Sequence, residues 1–159
     1  MRNRSIRILL ISLLVVVTGI LAGCGNDAGD PKQTVIKMFG AMQRDDRAAL
    51  TSLLDLPALM MTLNEDYALQ TDTPRVFHSP EQILDDLTDN GDTKQRWFSY
   101  QRIVGDSQIN DDAATVEVTF VDKVNSKGYL TKFGLHIING KWRIYTFKTE
   151  QAPPESSVG

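Results

Sequence analysis

The sequence predicts an α+β domain in which N-terminal helices cover one face of an antiparallel sheet of about four strands. Three observations carry this prediction. Between Pro31 and Gly91 apolar residues recur three and four apart. From Trp97 onward they alternate with polar ones. Asn139-Gly140 then sits between two alternating runs, the strongest short hairpin signal a sequence offers. Helices first and hairpins afterwards segregate into a helical layer on an antiparallel sheet. A chain of 159 residues suits one such domain and can bury its core.

The helices come first. Asp30-Pro31-Lys32-Gln33 reads as a helix start, with Asp30 as N-cap and Pro31 at the first helical position. Val35, Met38, Phe39 and Met42 follow on one face. Asp45-Asp46 restarts a second helix with Ala49, Leu50, Leu53 and Leu54 inward. A third helix is predicted from Pro57 to Gln70, carrying Leu59, Met60, Leu63 and Tyr67; its methionines fill gaps in a core. Arg75–His78 is predicted as a short strand. Ser79-Pro80-Glu81-Gln82 repeats the capping pattern and opens a helix through Ile83, Leu84 and Leu87 that stops near Asn90-Gly91.

The strands follow. A first is expected around Phe98–Ile109, with a turn at Asp111-Asp112. Ala114, Val116, Val118 and Phe120 then alternate with polar residues, and Tyr129–Ile138 alternates again. If Asn139-Gly140 is a two-residue turn, Ile138 faces Lys141, Ile137 faces Trp142, Leu135 faces Ile144 and Phe133 faces Thr146. A one-residue slip would turn every side chain over, so the preceding hairpin is registered by making apolar faces meet. That pairs Phe120 with Phe133, Val118 with Leu135 and Val116 with Ile137, leaving Asn125–Gly128 as the loop.

The N-terminus carries a different message. Arg2, Arg4 and Arg7 precede an uncharged apolar run from Ile8 to Ile20, too short for a bilayer span of ~20 residues but right for the core of a secretory signal. Leu21-Ala22-Gly23-Cys24 resembles the lipobox of bacterial lipoproteins, and Cys24 is the only cysteine. The resemblance implies cleavage before Cys24 and lipidation of its thiol, with Leu21, Ala22 and Gly23 read by the signal peptidase. Two or more acyl chains hold a membrane stably where one does so only marginally. The expected organisation is a signal peptide over 1–23, a lipidated cysteine and tether over 24–30, one domain over 31–150 and a disordered tail over 151–159. The resemblance implies an extracytoplasmic protein lipid-anchored to a bacterial membrane. By the usual sorting pattern of lipoproteins this is the outer membrane if the source is Gram-negative, since Gly25 rather than Asp follows the cysteine.

A second resemblance lies in the domain. The segments AMQRDDRAALTSLL, FHSPEQILDDL and LHIINGKWRIYTF are similar to the nuclear transport factor two-like (cystatin-like) superfamily. That resemblance implies a curved sheet closing a cone against the helices. It does not select an activity, because the superfamily holds isomerases, dehydratases, ligand binders and protein-binding modules.

The residues weigh against catalysis. The inward positions are Val116, Val118, Phe120, Phe133, Leu135, Ile137, Trp142 and Ile144, with no carboxylate, histidine or tyrosine among them. If the cone were an active site, Tyr67, His78 and Tyr100 would be its candidates. No metal site is expected, since His78 and His136 have no Cys or His at ligand spacing. No cofactor is expected either, for want of any phosphate-binding or nucleophile motif. Without residues 1–23 the formal charge of −3 becomes three units more negative, which disfavours nucleic acid.

The outward sheet face offers more. The register places Glu117, His136 and Arg143 in one polar row. It also brings Val121, Leu130, Tyr145 and Phe147 together as a candidate partner face, with Tyr145 covering the bare backbone of Gly134. The expected function is a membrane-anchored envelope lipoprotein acting as a non-catalytic binding module. Its partners are the bilayer and either a second copy or an envelope protein; the alternative is a small enzyme or small-ligand carrier using an apolar cone.

Overall fold

A computed structural model describes residues 28–70, 76–124 and 127–151. Its elements run α1 (Pro31–Gln43), α2 (Arg47–Leu53), α3 (Leu56–Gln70), α4 (Pro80–Leu87), α5 (Asp92–Ser99), then β1 (Gln101–Asn110), β2 (Ala113–Val121), β3 (Gly128–Ile138) and β4 (Lys141–Gln151). The four strands form one antiparallel meander, and the helices lie on its inner face.

The caps explain where the helices begin. Asp30 accepts a hydrogen bond from the Lys32 amide at 2.9 Å and Pro31 opens α1. Asp46 accepts from the Ala49 amide to start α2, after Asp45 turns the chain at φ 56°. Two expectations fail in this half. The segment before α4 is not a strand: the Asn64 side chain takes both backbone groups of Phe77, accepting from its N–H at 2.8 Å and donating to its carbonyl at 2.9 Å. One amide side chain thus replaces a strand partner. Phe98 and Ser99, expected to open the first strand, instead end a helix from Asp92 to Ser99 that the sequence reading did not assign, and that helix drives Trp97 into the core. A helix whose two large apolar residues, Trp97 and Phe98, are adjacent has little periodicity to read.

The sheet follows the predicted order with two changes of register. Asn139 and Gly140 both have positive φ, and Ile138 faces Lys141, Ile137 faces Trp142 and Leu135 faces Ile144. A bulge at Tyr145 then inserts one residue into β4, so Phe133 faces Phe147 instead of Thr146. In the β2–β3 hairpin Phe120 faces Tyr129, Val118 faces Thr131, Val116 faces Phe133 and Ala114 faces Leu135. That is four residues from the predicted pairing. An even displacement keeps every side chain on its predicted face, so the apolar-face criterion could not detect it.

The interior is a cluster of aromatic rings. Phe39 of α1 and Trp97 of α5 meet Phe120 and Phe133 of the sheet, with Trp97 stacked on Phe120 at 5.5 Å and edge-on to Phe147 at 5.3 Å. The two outer edges of the sheet differ. On β4 the Asp55 amide donates to the Ile144 carbonyl at 2.8 Å, and the Thr62 hydroxyl donates to the Tyr145 carbonyl at 2.9 Å. On β1 the register breaks between Val104 and Ser107, and Lys32 of α1 pairs with Asp106 there at 2.8 Å.

Candidate functional site: the outer face of the sheet

Alternation fixes which side chains reach the outer face. Val121 and Leu130 lie on it, half-buried, and Leu130 shares a row with Thr119 and with Ile103 of β1, which is 52% exposed. Ile103, Val121 and Leu130 form an apolar corner at the end of the sheet nearest the β2–β3 hairpin. Ile103 was not foreseen, because no register was assigned to the first strand. Glu117 and Lys132 occupy the next row and face each other at 4.0 Å.

Phe147 is not part of this face. The bulge at Tyr145 reverses its side, and it is buried at 6% exposure against Trp97 and Phe133. Tyr145 does lie outward, though midway along the sheet, where the bulge faces Gly134 and Leu135, and not in the corner with Leu130. It passes over Gly134 so closely that a Cβ there would sit 3.0 Å from the Tyr145 ring and 2.6 Å from Thr146 Cγ2. The expected cover of bare backbone by an aromatic ring is present.

The predicted polar row divides. The displaced β2–β3 register carries Glu117 away to Lys132, while His136 and Arg143 remain directly opposite one another. His136 Nε2 lies 2.9 Å from a carboxylate oxygen of Asp55, and its ring tilts against Tyr145 with centroids 4.9 Å apart. Asp55 sits just before α3, where its other oxygen accepts from the Ala58 amide at 3.4 Å. Its position ahead of a proline-containing helix start was the readable signal. Arg143 donates from Nη1 to the carbonyls of Thr51 and Leu54 at the end of α2, while its buried Nε has no acceptor. A cation at a helix C-terminus is favourably placed. His136 and Arg143 together fasten the α2–α3 corner to the sheet.

The inner face holds residues that its predicted list lacks, among them Phe147, the fully buried Thr131 and Tyr129. Tyr129 belongs to it, stacked on Phe120 at 4.9 Å and edge-on to Tyr100 at 5.3 Å. Its buried hydroxyl has no hydrogen-bond partner among the described residues, and burial pushes the phenol up to about 12. Trp97 Nε1 is likewise buried and without an acceptor. Nearby, the Arg102 guanidinium lies 3.9 Å from the Phe98 ring centre and donates to the Trp97 carbonyl at 2.9 Å; burial lowers its pKa. Of the other catalytic candidates, His78 is exposed, its backbone N–H donating to the Gln82 side chain at 2.7 Å. The Tyr67 side chain lies outside the described ones.

An open cleft of about 580 Å³ lies between Phe77 and the α4–α5 turn, bordered by Asp85, Asp86, Asp89 and Asp92. Two of its carboxylates serve the fold: Asp85 pairs with Arg47 at 2.6 Å, and Asp86 accepts from the Thr93 amide at 3.1 Å. Among the described residues no group of three or more His, Cys, Asp or Glu is arranged to hold a metal ion. Among them, too, no helix is long and apolar enough to cross a membrane. Leu21, Ala22, Gly23 and Cys24 lie outside the described residues, as do Arg75 and the tail beyond Gln151.

The architecture is the NTF2-like α+β fold. A chain designated Rd1NTF2_05, carrying five substitutions, superposes with a TM-score of 0.50 at 14% identity, over 74% of this chain and 94% of its own. More distant likenesses include an NTF2-like protein of unknown function from Shewanella oneidensis (TM-score 0.39, 12% identity, 74% and 93% covered). Another is an NTF2-like protein from Burkholderia thailandensis (TM-score 0.40, 16% identity, 77% and 90% covered). No protein-family model matches the sequence, and no curated protein does.

Proposed function

We propose that this chain is a lipid-anchored bacterial envelope protein whose NTF2-like domain binds a partner without catalysing a reaction. The observation that carries this reading is how the interior is used. Phe39, Trp97, Phe120, Phe133 and Phe147 occupy the space between helices and sheet with ring centroids 5.2–6.2 Å apart. Packing at that spacing is a core, and among the described residues no carboxylate or imidazole stands within this ring cluster for acid–base work. Recognition then falls to the outside, where Ile103, Val121 and Leu130 make an apolar corner rimmed by Glu117 and Lys132. The anchor reading rests on Leu21-Ala22-Gly23-Cys24 and the apolar run before it.

One observation favours a second reading, that of a small-ligand carrier. Trp97 Nε1 and the Tyr129 hydroxyl are buried donors without acceptors, and a ligand bearing a carbonyl or carboxylate would satisfy them.

The test has two arms. Cys24→Ser should abolish incorporation of labelled palmitate and leave uncleaved precursor; continued labelling would remove the lipobox reading. Ile103→Asp with Leu130→Asp should then lower the mass of the soluble domain in light scattering, or remove cross-linked partners from membranes. Unchanged mass together with unchanged cross-links would show that this corner is not the binding surface.

A further inference from the structure

The chain leaves the domain at a defined place. Trp142 Nε1 donates to the Gly29 carbonyl at 3.0 Å, Asp30 caps α1 and lies 3.5 Å from the Ser107 hydroxyl, and Lys32 pairs with Asp106. Ala28 packs against the core. Trp142 is the second residue of β4, beside the Asn139-Gly140 turn, and Ser107 lies in the last part of β1. The exit is therefore pinned beside the end of the sheet that holds the β1–β2 and β3–β4 turns.

Four peptide steps separate Ala28 from Cys24, a reach of at most about 15 Å. The eleven residues of β3 span about 35 Å from that end to the other. Resting on the lipid anchor proposed above, we infer that the turn end of this sheet is a membrane-apposed surface, held at the lipid headgroups by a short clamped tether. The opposite end, with the β2–β3 hairpin and the Ile103–Leu130 corner, then points away from the bilayer.

The chemistry of the apposed end agrees with contact at the headgroups rather than insertion. Asn110, Asp111, Asp112, Asn139 and Lys141 are all exposed there; of the described large apolar side chains at this end Ile109 is exposed, at 58%, and Ile138 is half-buried. Burying those carboxylates in hydrocarbon would be costly. The partner corner is left free by the same geometry. Its Leu130 lies eight residues along β3 from Ile138, roughly 25 Å above the apposed turns.

The experiment uses the full lipidated protein in vesicles of phosphatidylcholine and phosphatidylglycerol carrying a headgroup-linked quencher. Lys141→Cys and Lys123→Cys place one dye at each end; both positions are exposed, and the native thiol is occupied by lipid. Quenching at position 141 should exceed that at position 123 several-fold. Inserting about fifteen Gly and Ser residues after Asn26 should erase the difference, because a longer tether lets the domain tumble. Equal or reversed quenching in the native-length chain would overturn the orientation. A difference that persists with the long tether would overturn the tether as its cause. Protein that fails to float with the vesicles on a density gradient would instead overturn the anchor reading, and this inference with it.

Discussion

A carboxylate oxygen of Asp55 lies 2.9 Å from Nε2 of His136, joining the start of α3 to β3 across 81 residues of chain. Both side chains are partly sheltered, and Tyr145 covers the imidazole ring. With Arg143 on the carbonyls of Thr51 and Leu54, the pair fixes the corner between α2 and α3. His136→Ala should therefore cost about 1 kcal/mol in urea unfolding of the soluble domain. A double-mutant cycle with Asp55→Asn should return a coupling of roughly 0.5–1.5 kcal/mol. A coupling indistinguishable from zero would mean that the contact contributes nothing.

Gly134 should tolerate no side chain. Its Cβ would lie 2.6 Å from Thr146 Cγ2 and 3.0 Å from the Tyr145 ring, so Gly134→Ala should destabilise by about 1–3 kcal/mol. Tyr145→Ala in the same chain should recover part of that loss, since it removes one of the two obstructing groups. Strict additivity of the two substitutions would contradict the close approach.

Tyr129 predicts a pH effect of definite sign. Its phenol is raised from an ordinary value near 10 to about 12 by burial, so the native state holds its proton more tightly than the unfolded state. Stability from this group is fully present below pH ~10 and is lost as pH rises from ~10 toward ~12, where the unfolded chain releases a proton that the native chain keeps. Tyr129→Phe should flatten the fall in denaturation midpoint over that window. At neutral pH the substitution should be neutral or slightly stabilising, because the deleted hydroxyl has no partner. A marked loss of stability at neutral pH would reveal a bond to that oxygen.

Trp97 separates ring packing from its N–H. It is 1% exposed and touches Phe39, Phe120, Phe133 and Phe147, so Trp97→Ala should cost about 3–5 kcal/mol. Trp97→Phe should cost clearly less than its lost volume implies, since it also removes a buried, unpaired donor. Thermal unfolding of the two variants beside the parent decides this; equal losses would show that the indole N–H is satisfied in solution.

The legible parts of this fold were those written in local chemistry. Asp30, Pro31 and Asp46 marked helix starts by capping, Asn139-Gly140 marked a turn needing two positive φ values, and alternation sorted β2 and β3 into faces. What escaped depended on counting across distance. The displaced β2–β3 pairing satisfied the same apolar faces, so Glu117 was assigned to His136 when its neighbour is Lys132. The bulge at Tyr145 has no local signature and moved Phe147 from the outer face to the core. Asp55 escaped because a residue near the start of a helix carries no hint of a histidine 81 positions later.

Both margins of the sheet depart from a regular open edge. Ile144 and Tyr145 give their carbonyls to Asp55 and Thr62, and β1 breaks its hydrogen-bonding rhythm at the kink where Asp106 meets Lys32. The bonded carbonyls of β4 and the kink in β1 each interrupt the regular ladder that a neighbouring chain would extend. Were the chain fastened to a membrane as proposed above, lateral encounters between copies would be frequent and similarly aligned. Regular open margins would there seed ribbons growing across the plane, and interrupted ones work against that.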